Sequence, residues 1–426
     1  MTHIRPTKLT RLFCTFLCAL LIATTSFAQD SDKPTTPQWV KDYQAHLDQG
    51  KWEEALDVAM LQIVSEDNNT SGKFCAGFAR LVGTMEWTMQ QLSQYPLARQ
   101  EFNPLRMMGI RLPQIPRSKK TYAEPLTYEE TRVFFQSIHR RLGKVSELMS
   151  EVEGDFKVPI HLGRIRIDMN GDGIRSEKES FATAFAILTR IPLDQERASD
   201  FYVAFDQADA VWLEGYCHLV SAICDFGLAH DYRDLFERCS HLLIEKVESP
   251  YPYLTHRQRG HNEMFFLDAI AAIHSVNFEV IDEESLFGIK EHLLSAIICS
   301  RKNWELINAE TDNDHELLPS PKQQSVVGWV EINDSRIEAW HTFLDEMEMI
   351  LEGKRLAPFW RDPNRTLGIN ISKYFEEPCT FDLVTIIQGS ALDQYLEEGD
   401  IVRRGFMRDL QRAFNGGFWS HAAMIN

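Results

Sequence analysis

The chain has 426 residues, 44% of them hydrophobic, and 62 acidic against 44 basic side chains leave a formal charge of −18. So acidic a surface repels phosphate backbones and argues against a nucleic-acid partner. The length is ample for a large core and excludes a mini-domain held only by staples.

The opening MTHIRPTKLTRLFCTFLCALLIATTSFAQD carries Arg5, Lys8 and Arg11, then an apolar run from Leu12 to Ala23, then Ser26-Phe27-Ala28. This is the pattern of a secretory signal peptide over residues 1–28, with the cut expected between Ala28 and Gln29. The apolar run is short for a bilayer span and no second long one follows. The expectation is therefore an exported protein, periplasmic or extracellular, with no integral membrane segment after cleavage. Six cysteines remain beyond the signal: Cys75, Cys217, Cys224, Cys239, Cys299 and Cys379. An exported chain is permitted disulfides, but wide spacing and the absence of CxxC leave the pairing open. Cys217 and Cys224, seven apart on one predicted helix, lie roughly 10 Å apart and cannot bridge each other.

Residues 29–37 read as a flexible lead. From Gln38 the pattern turns helical, and Gly50 splits Asp42–Asn69 into two amphipathic helices. Here "GKWEEAL" followed by "NN" resembles the second half of a tetratricopeptide repeat, with Gly50 at the turn, Trp52 in the aromatic place and Ala55 in the tight-packing place. Gln62 and Asp67 depart from that pattern and no second copy follows, so an ordinary helical hairpin is the favoured reading. "FCAGFARLVGTMEWTMQQL" predicts another helix. The loop "LPQIPRSKKTYAEP" gives the best boundary, dividing an N-terminal helical unit (38–112) from a main helical domain (126–426). Thr127 with Glu130 forms a capping-box signature opening a long helix.

"FKVPIHLGRIRID" alternates apolar residues and reads as extended. After it come "DMNGDGIRSEKE" and a resumed helix over "EKESFATAFAILTRI". Residues 199–228 predict a very apolar helical stretch interrupted near Gly215. Further helices are expected over Tyr232–Val247, Asn262–Val276 and Glu283–Ala309. "SVVGWVEIND" predicts a short strand, and Ser335 with Glu338 caps a helix running to Gly353. The end looks helical and aromatic. The fold class is mainly α: a multi-helix array or bundle with a short extended segment leading into the loop at 168–179.

That loop carries the sharpest chemistry. Calcium takes six to eight oxygens from a flexible loop. Asp168, Asn170 and Asp172 offer side-chain oxygens at alternating positions, and Gly173 permits the turn after them. Ile174 offers its carbonyl, Ser176 a direct or water-borne contact, and Glu179 falls at the twelfth position with two oxygens. The run fulfils D-x-[DN]-x-[DN]-G-x5-E. It resembles an EF-hand loop, and its "DxNGDG" core is similar to dockerin repeats. The resemblance implies a calcium ion held by Asp168, Asn170, Asp172, Ile174, Ser176 and Glu179. Arg175 stands at the eighth position where an apolar residue is usual, and no second loop follows. A structural ion rather than a signalling one is expected, with a dissociation constant on the order of 10⁻⁴ to 10⁻³ M or somewhat tighter.

Other constellations are weaker. Glu214 and His218 lie four apart on one predicted helix, with Asp225 seven further on; a structural pair is the commoner meaning of such spacing, a metal or acid–base site the rarer one. Asp206 and Asp209 can cleave glycosides as a pair or simply cap a helix. "THRQRGHNEMFF" (His256, Arg257, Arg259, His261, Glu263) fits no zinc spacing and reads as a loop before a helix. No nucleophile elbow, phosphate loop or dinucleotide fingerprint is present. The chain is also loosely similar, through "FDQADAVWLEGYCHLV" and "PYPYL", to large exported bacterial proteins without an assigned activity, from which no residue role carries over. The leading expectation is an exported calcium-binding protein with a structural or binding role toward a polysaccharide or protein partner. The alternative is a secreted hydrolase or lyase acting on polysaccharide, and the sequence does not decide whether the chain is an enzyme.

Overall fold

The computed structural model describes residues 36–66, 69–96, 124–184, 201–255, 262–325 and 332–425. The expected signal peptide, most of the lead, residues 256–261, all but the last two residues of the 112–125 boundary and all but the ends of "SVVGWVEIND" lie outside these residues. The protein is mainly helical. Helices α1 (Gln38–Asp48), α2 (Trp52–Ser65) and α3 (Thr70–Gln94) run in succession, and α4 (Tyr128–Ser150) packs on α3. Two short strands, β1 (Val158–Ile160) and β2 (Val203–Phe205), pair antiparallel and frame the 168–179 loop in sequence. Then come α5 (Gln207–Ala229), β3 (His230–Asp231), α6 (Arg233–Cys239), α7 (Pro252–Thr255), α8 (Asn262–Ser275), β4 (Asn277–Val280) and α9 (Glu283–Ala309). After α10 (Asp334–Leu351) the chain breaks into short strands and helices that end at Ile425. Among the described residues, no helix is long and apolar enough to cross a membrane.

Local signals account for the element ends. Gly50 turns between α1 and α2 at φ +71°, a left-handed conformation that glycine adopts freely. Trp52 packs against Gly83, where a β-carbon would stand 2.5 Å from its ring. Thr127 and Glu130 form the expected reciprocal capping box. The helix over 283–309 has its expected bounds, with Asp282 accepting from Glu284 and Ser285.

Four expectations need correction. The helix expected over Tyr232–Val247 ends at Cys239, and Val247 instead bridges Leu126. The segment before Gln207 is strand and cap rather than helix, because Val203–Phe205 pairs with β1. Gly215 does not interrupt α5, which is continuous from Gln207 to Ala229. This helix is packed between α4 and α9, and that packing outweighs the roughly 1 kcal/mol a helical glycine costs. The cap of α10 is Asn333, not Ser335: its side chain accepts from the Arg336 N–H, so the helix starts earlier. The six cysteines are all unpaired thiols, five of them buried, where a thiol packs as a small hydrophobe.

One apolar cluster runs from Val40 in α1 to Ile425 near the end. Phe74 and Phe78 of α3 meet Phe205 of β2 at ring-centroid distances of 5.2 and 5.4 Å, and Phe181, just past the loop, packs 6.3 Å from Phe78. The loop is thus moored to the core at both ends. Burying these four rings helps hold the extended segment in place.

Candidate metal centre

The 168–179 loop is clamped at its neck. Ile167 N–H donates to the Glu179 carbonyl at 3.1 Å, Phe181 N–H donates to the Ile165 carbonyl at 2.9 Å, and Arg166 bridges Ser180 in antiparallel register. Ile165, Ile167 and Met169 are fully buried, so the alternation expected from the sequence seats this segment against the core. Helical backbone resumes at residues 181–184.

Inside the loop, the acidic and amide side chains are turned back onto their own backbone. Asp168 accepts from Gly171 N–H at 2.8 Å with one oxygen and from Gly173 N–H at 2.9 Å with the other. Asn170 Oδ1 accepts from Asp172 N–H, and Asp172 Oδ1 from Ile174 N–H, each at 2.9 Å. These successive side-chain turns need left-handed backbone at two points, and glycines stand at both: Gly171 at φ +71° and Gly173 at φ +82°. Glu179 closes the ring. Its Oε1 accepts from Asn170 Nδ2 at 2.8 Å, and its Oε2 accepts from Ser176 Oγ at 2.8 Å and Ser176 N–H at 3.2 Å. The structure therefore brings Asn170, Ser176 and Glu179 into direct contact and links Asp168 and Asp172 to them through one short run of backbone. Asp168 and Glu179 are each only 5% exposed. The Ile174 side chain points into solvent, which suits a residue expected to contribute only its carbonyl.

Neighbours outside the loop hold it from behind. Asp168 N–H donates to Glu86 Oε2 at 2.6 Å, and Gln90 Nε2 donates to the Asp168 carbonyl at 2.9 Å, both from α3. Arg166 N–H donates to the Leu47 carbonyl at the end of α1. Arg175 lies across Gly50, where a β-carbon would meet its Cδ at 2.0 Å, and reaches Glu86 at 3.6 Å. Burial pushes the Glu86 carboxyl up, against the Asp168 N–H and the Arg175 charge, which pull it down. The eighth-position arginine thus takes a contact within the same chain where a paired loop would use an apolar one. Glu86 and Gln90, about eighty residues away on α3, carry no signal that ties them to the loop in the sequence.

The donor set suits calcium: oxygens from three carboxylates, an amide, a hydroxyl and a carbonyl on a glycine-hinged loop. An ion held there would neutralise two buried carboxylates and tie α1, α3 and the loop together.

Asp206 and Asp209 serve as helix caps. Asp206 accepts from Ala208 N–H at 2.8 Å, and Asp209 Oδ2 accepts from Asp206 N–H at 3.2 Å. Asp206 also meets Glu310 and Glu316, two residues that sequence reasoning passed over; oxygens of the three lie within 4.8 Å of one another. Burial, with Asp206 close by, pushes Glu310 up to about 8, and burial pushes Glu316 up to about 7. Lys157, ion-paired with Asp312, offsets part of this charge. Glu214, His218 and Asp225 do share one face of α5, and residues from two other helices join them there.

No protein-family model matches the chain, and neither a curated protein nor a solved structure matches it at a significant level.

Proposed function

We propose that the protein is an exported helical scaffold whose 168–179 loop binds one calcium ion, the ion serving to hold the N-terminal hairpin and α3 against the loop. The observation that carries this reading is the inward turn of Asp168, Asn170 and Asp172 about Gly171 and Gly173, closed by Glu179 at the twelfth position. Export rests on the basic start, apolar run and small residues before Gln29, and it places the loop where calcium is abundant. A binding role is supported by α8, where Met264, Phe266, Leu267, Ile270 and Ile273 are each about half exposed or more.

Thermal melting in about 10 mM calcium, 100-fold over a dissociation constant of about 10⁻⁴ M, and again in excess EDTA tests the reading. A ligand at 100-fold over its dissociation constant adds about 2.7 kcal/mol, a few degrees for a chain of this size. The gain is expected in the wild type and absent from an Asp168→Ala/Glu179→Ala double variant. Equal midpoints with and without calcium would sink the proposal.

The polysaccharide-hydrolase alternative has one observation in its favour. Glu310, held up at about 8, keeps its proton at neutral pH beside Asp206, the combination a general acid requires. Polysaccharide turnover by the wild type and its loss in Glu310→Gln would support it; no turnover on neutral or acidic glycans would remove it.

A further inference from the structure

Helices α4, α5 and α9 lie side by side, and each turns polar residues seven apart toward the others: His139 and Ser146, His218 and Asp225, His292 and Cys299. Two turns of helix separate residues seven apart, so the six form two layers of one seam. In the first layer His139 Nε2 lies 3.2 Å from Asp225 Oδ1 and 3.3 Å from His292 Nε2, and His292 Nε2 lies 3.6 Å from Asp225 Oδ2. Between the layers, His218 Nδ1 lies 2.9 Å from His292 Nδ1, and in the second layer its Nε2 lies 3.5 Å from Ser146 Oγ and 3.9 Å from Glu214 Oε1.

We infer that His139, Asp225 and His292 form a binding site for a divalent transition-metal ion, zinc by its two imidazoles and one carboxylate, open to solvent on one side. Zinc bonds of roughly 2.0–2.1 Å at tetrahedral angles put neighbouring ligand atoms about 3.3–3.4 Å apart. The two edges at His139 Nε2, 3.2 Å to Asp225 Oδ1 and 3.3 Å to His292 Nε2, match that value; His292 Nε2 lies 3.6 Å from the other carboxylate oxygen, and one ligand atom from each of the three lies within 4.8 Å of the others. An octahedral ion with bonds of the same length would draw adjacent donors to about 3.0 Å. Without an ion, one of the two facing Nε2 atoms donates its proton to the other's lone pair; a shared cation uses both lone pairs instead.

Two further features are independent of these distances. Gly288 sits inside α9 one turn before His292, and a β-carbon there would stand 2.6 Å from Asp225 Oδ2. A glycine in a helix interior costs about 1 kcal/mol, and here its return is room for the Asp225 carboxylate. The outer nitrogens also form a consistent chain. With the His292 Nε2 lone pair facing the ion, its Nδ1–H donates to His218 Nδ1, and His218 Nε2–H is left to donate to Ser146 Oγ, with the Glu214 carboxylate 3.9 Å away. Metal-bound histidines are fixed in this way by outer partners. Asp225 is buried at 6% side-chain exposure, while His139 is 38% and His292 24% exposed, so the fourth position faces water. Three protein ligands and one solvent position is the arrangement of zinc sites that act on a bound molecule.

The test is zinc titration of untagged protein by calorimetry, with millimolar calcium present throughout so that the 168–179 loop is not a competitor. One ion per chain is expected, with micromolar or tighter affinity. His139→Gln, the most exposed ligand and the least disruptive change, should weaken it by on the order of 100-fold, and His218→Gln by roughly 10–100-fold as an outer partner. Cobalt(II) should bind the same site and show the intense visible absorption of tetrahedral coordination, lost in His292→Gln. Asp168→Ala/Glu179→Ala should leave all of this unchanged, which separates the two sites. Zinc binding equal in wild type and His139→Gln, or cobalt spectra that stay octahedral, would overturn the inference.

Discussion

The loop at 168–179 and the seam between α4, α5 and α9 are both clusters of acidic and polar side chains, but they are built in opposite ways. The loop draws its donors from twelve consecutive residues and folds them with its own backbone N–H groups. The seam draws His139, Asp225 and His292 from three helices and relies on helix packing to bring them within 3.6 Å. A site of the first kind writes its spacing into the sequence, because the spacing is the geometry. A site of the second kind leaves only scattered residues at helical intervals, and those intervals look the same whether the face meets water, core or metal.

The largest effect that sharpens this contrast is at the seam. Asp225→Asn should abolish measurable zinc binding while leaving the calcium-dependent rise in melting temperature intact; calorimetry and melting on one sample read both. The reverse variant, Asp168→Ala/Glu179→Ala, should remove the calcium gain of about 2.7 kcal/mol at saturating ion and spare zinc. Cross-effects in either direction would show that the two regions are not independent.

Gly50→Ala ranks next. It forces a side chain into left-handed backbone, costing about 1–2 kcal/mol, and it displaces Arg175 from the turn. Urea midpoints should fall by that amount, and calcium affinity should weaken as Arg175 loses its seat beside Glu86. A fall in stability with unaltered calcium affinity would separate the turn from the loop.

The smallest effect concerns the Asp206–Glu310–Glu316 cluster. Glu310 is raised from 4.5 to about 8 in the folded protein. The folded state therefore holds a proton that the unfolded chain releases above about pH 4.5, so this stabilisation is full below that pH and is lost as pH rises to about 8. Melting temperature should decline across this range, and Glu310→Gln should flatten the decline. Partial exposure screens the group, which limits the change to about a degree or two.

The same division explains what the sequence disclosed of the fold. The turn at Gly50, the Thr127–Glu130 capping box and the helix over 283–309 depend on residues within one or two turns of each other, and all three stand where expected. Strand β2 was hidden: three residues, Val-Ala-Phe, become a strand only because Val158–Ile160 lies alongside them. Gly215 carries a local helix-breaking signal that packing on two neighbouring helices overrides. Glu214, His218 and Asp225 were visible as one face of α5, but His139 and His292, 153 residues apart, carried no shared signal that a single sequence could reveal.

The close approach of Arg175 to Gly50 also bears on how this chain can change over time. The arginine occupies the volume where any other residue at position 50 would place its first side-chain carbon. Positions 50 and 175 are therefore not free to vary separately. A lineage that gained a side chain at the first would have to shorten the second, and Glu86, left without its cation, would come under pressure to become neutral. Three sites far apart along the chain would then be inherited as a set.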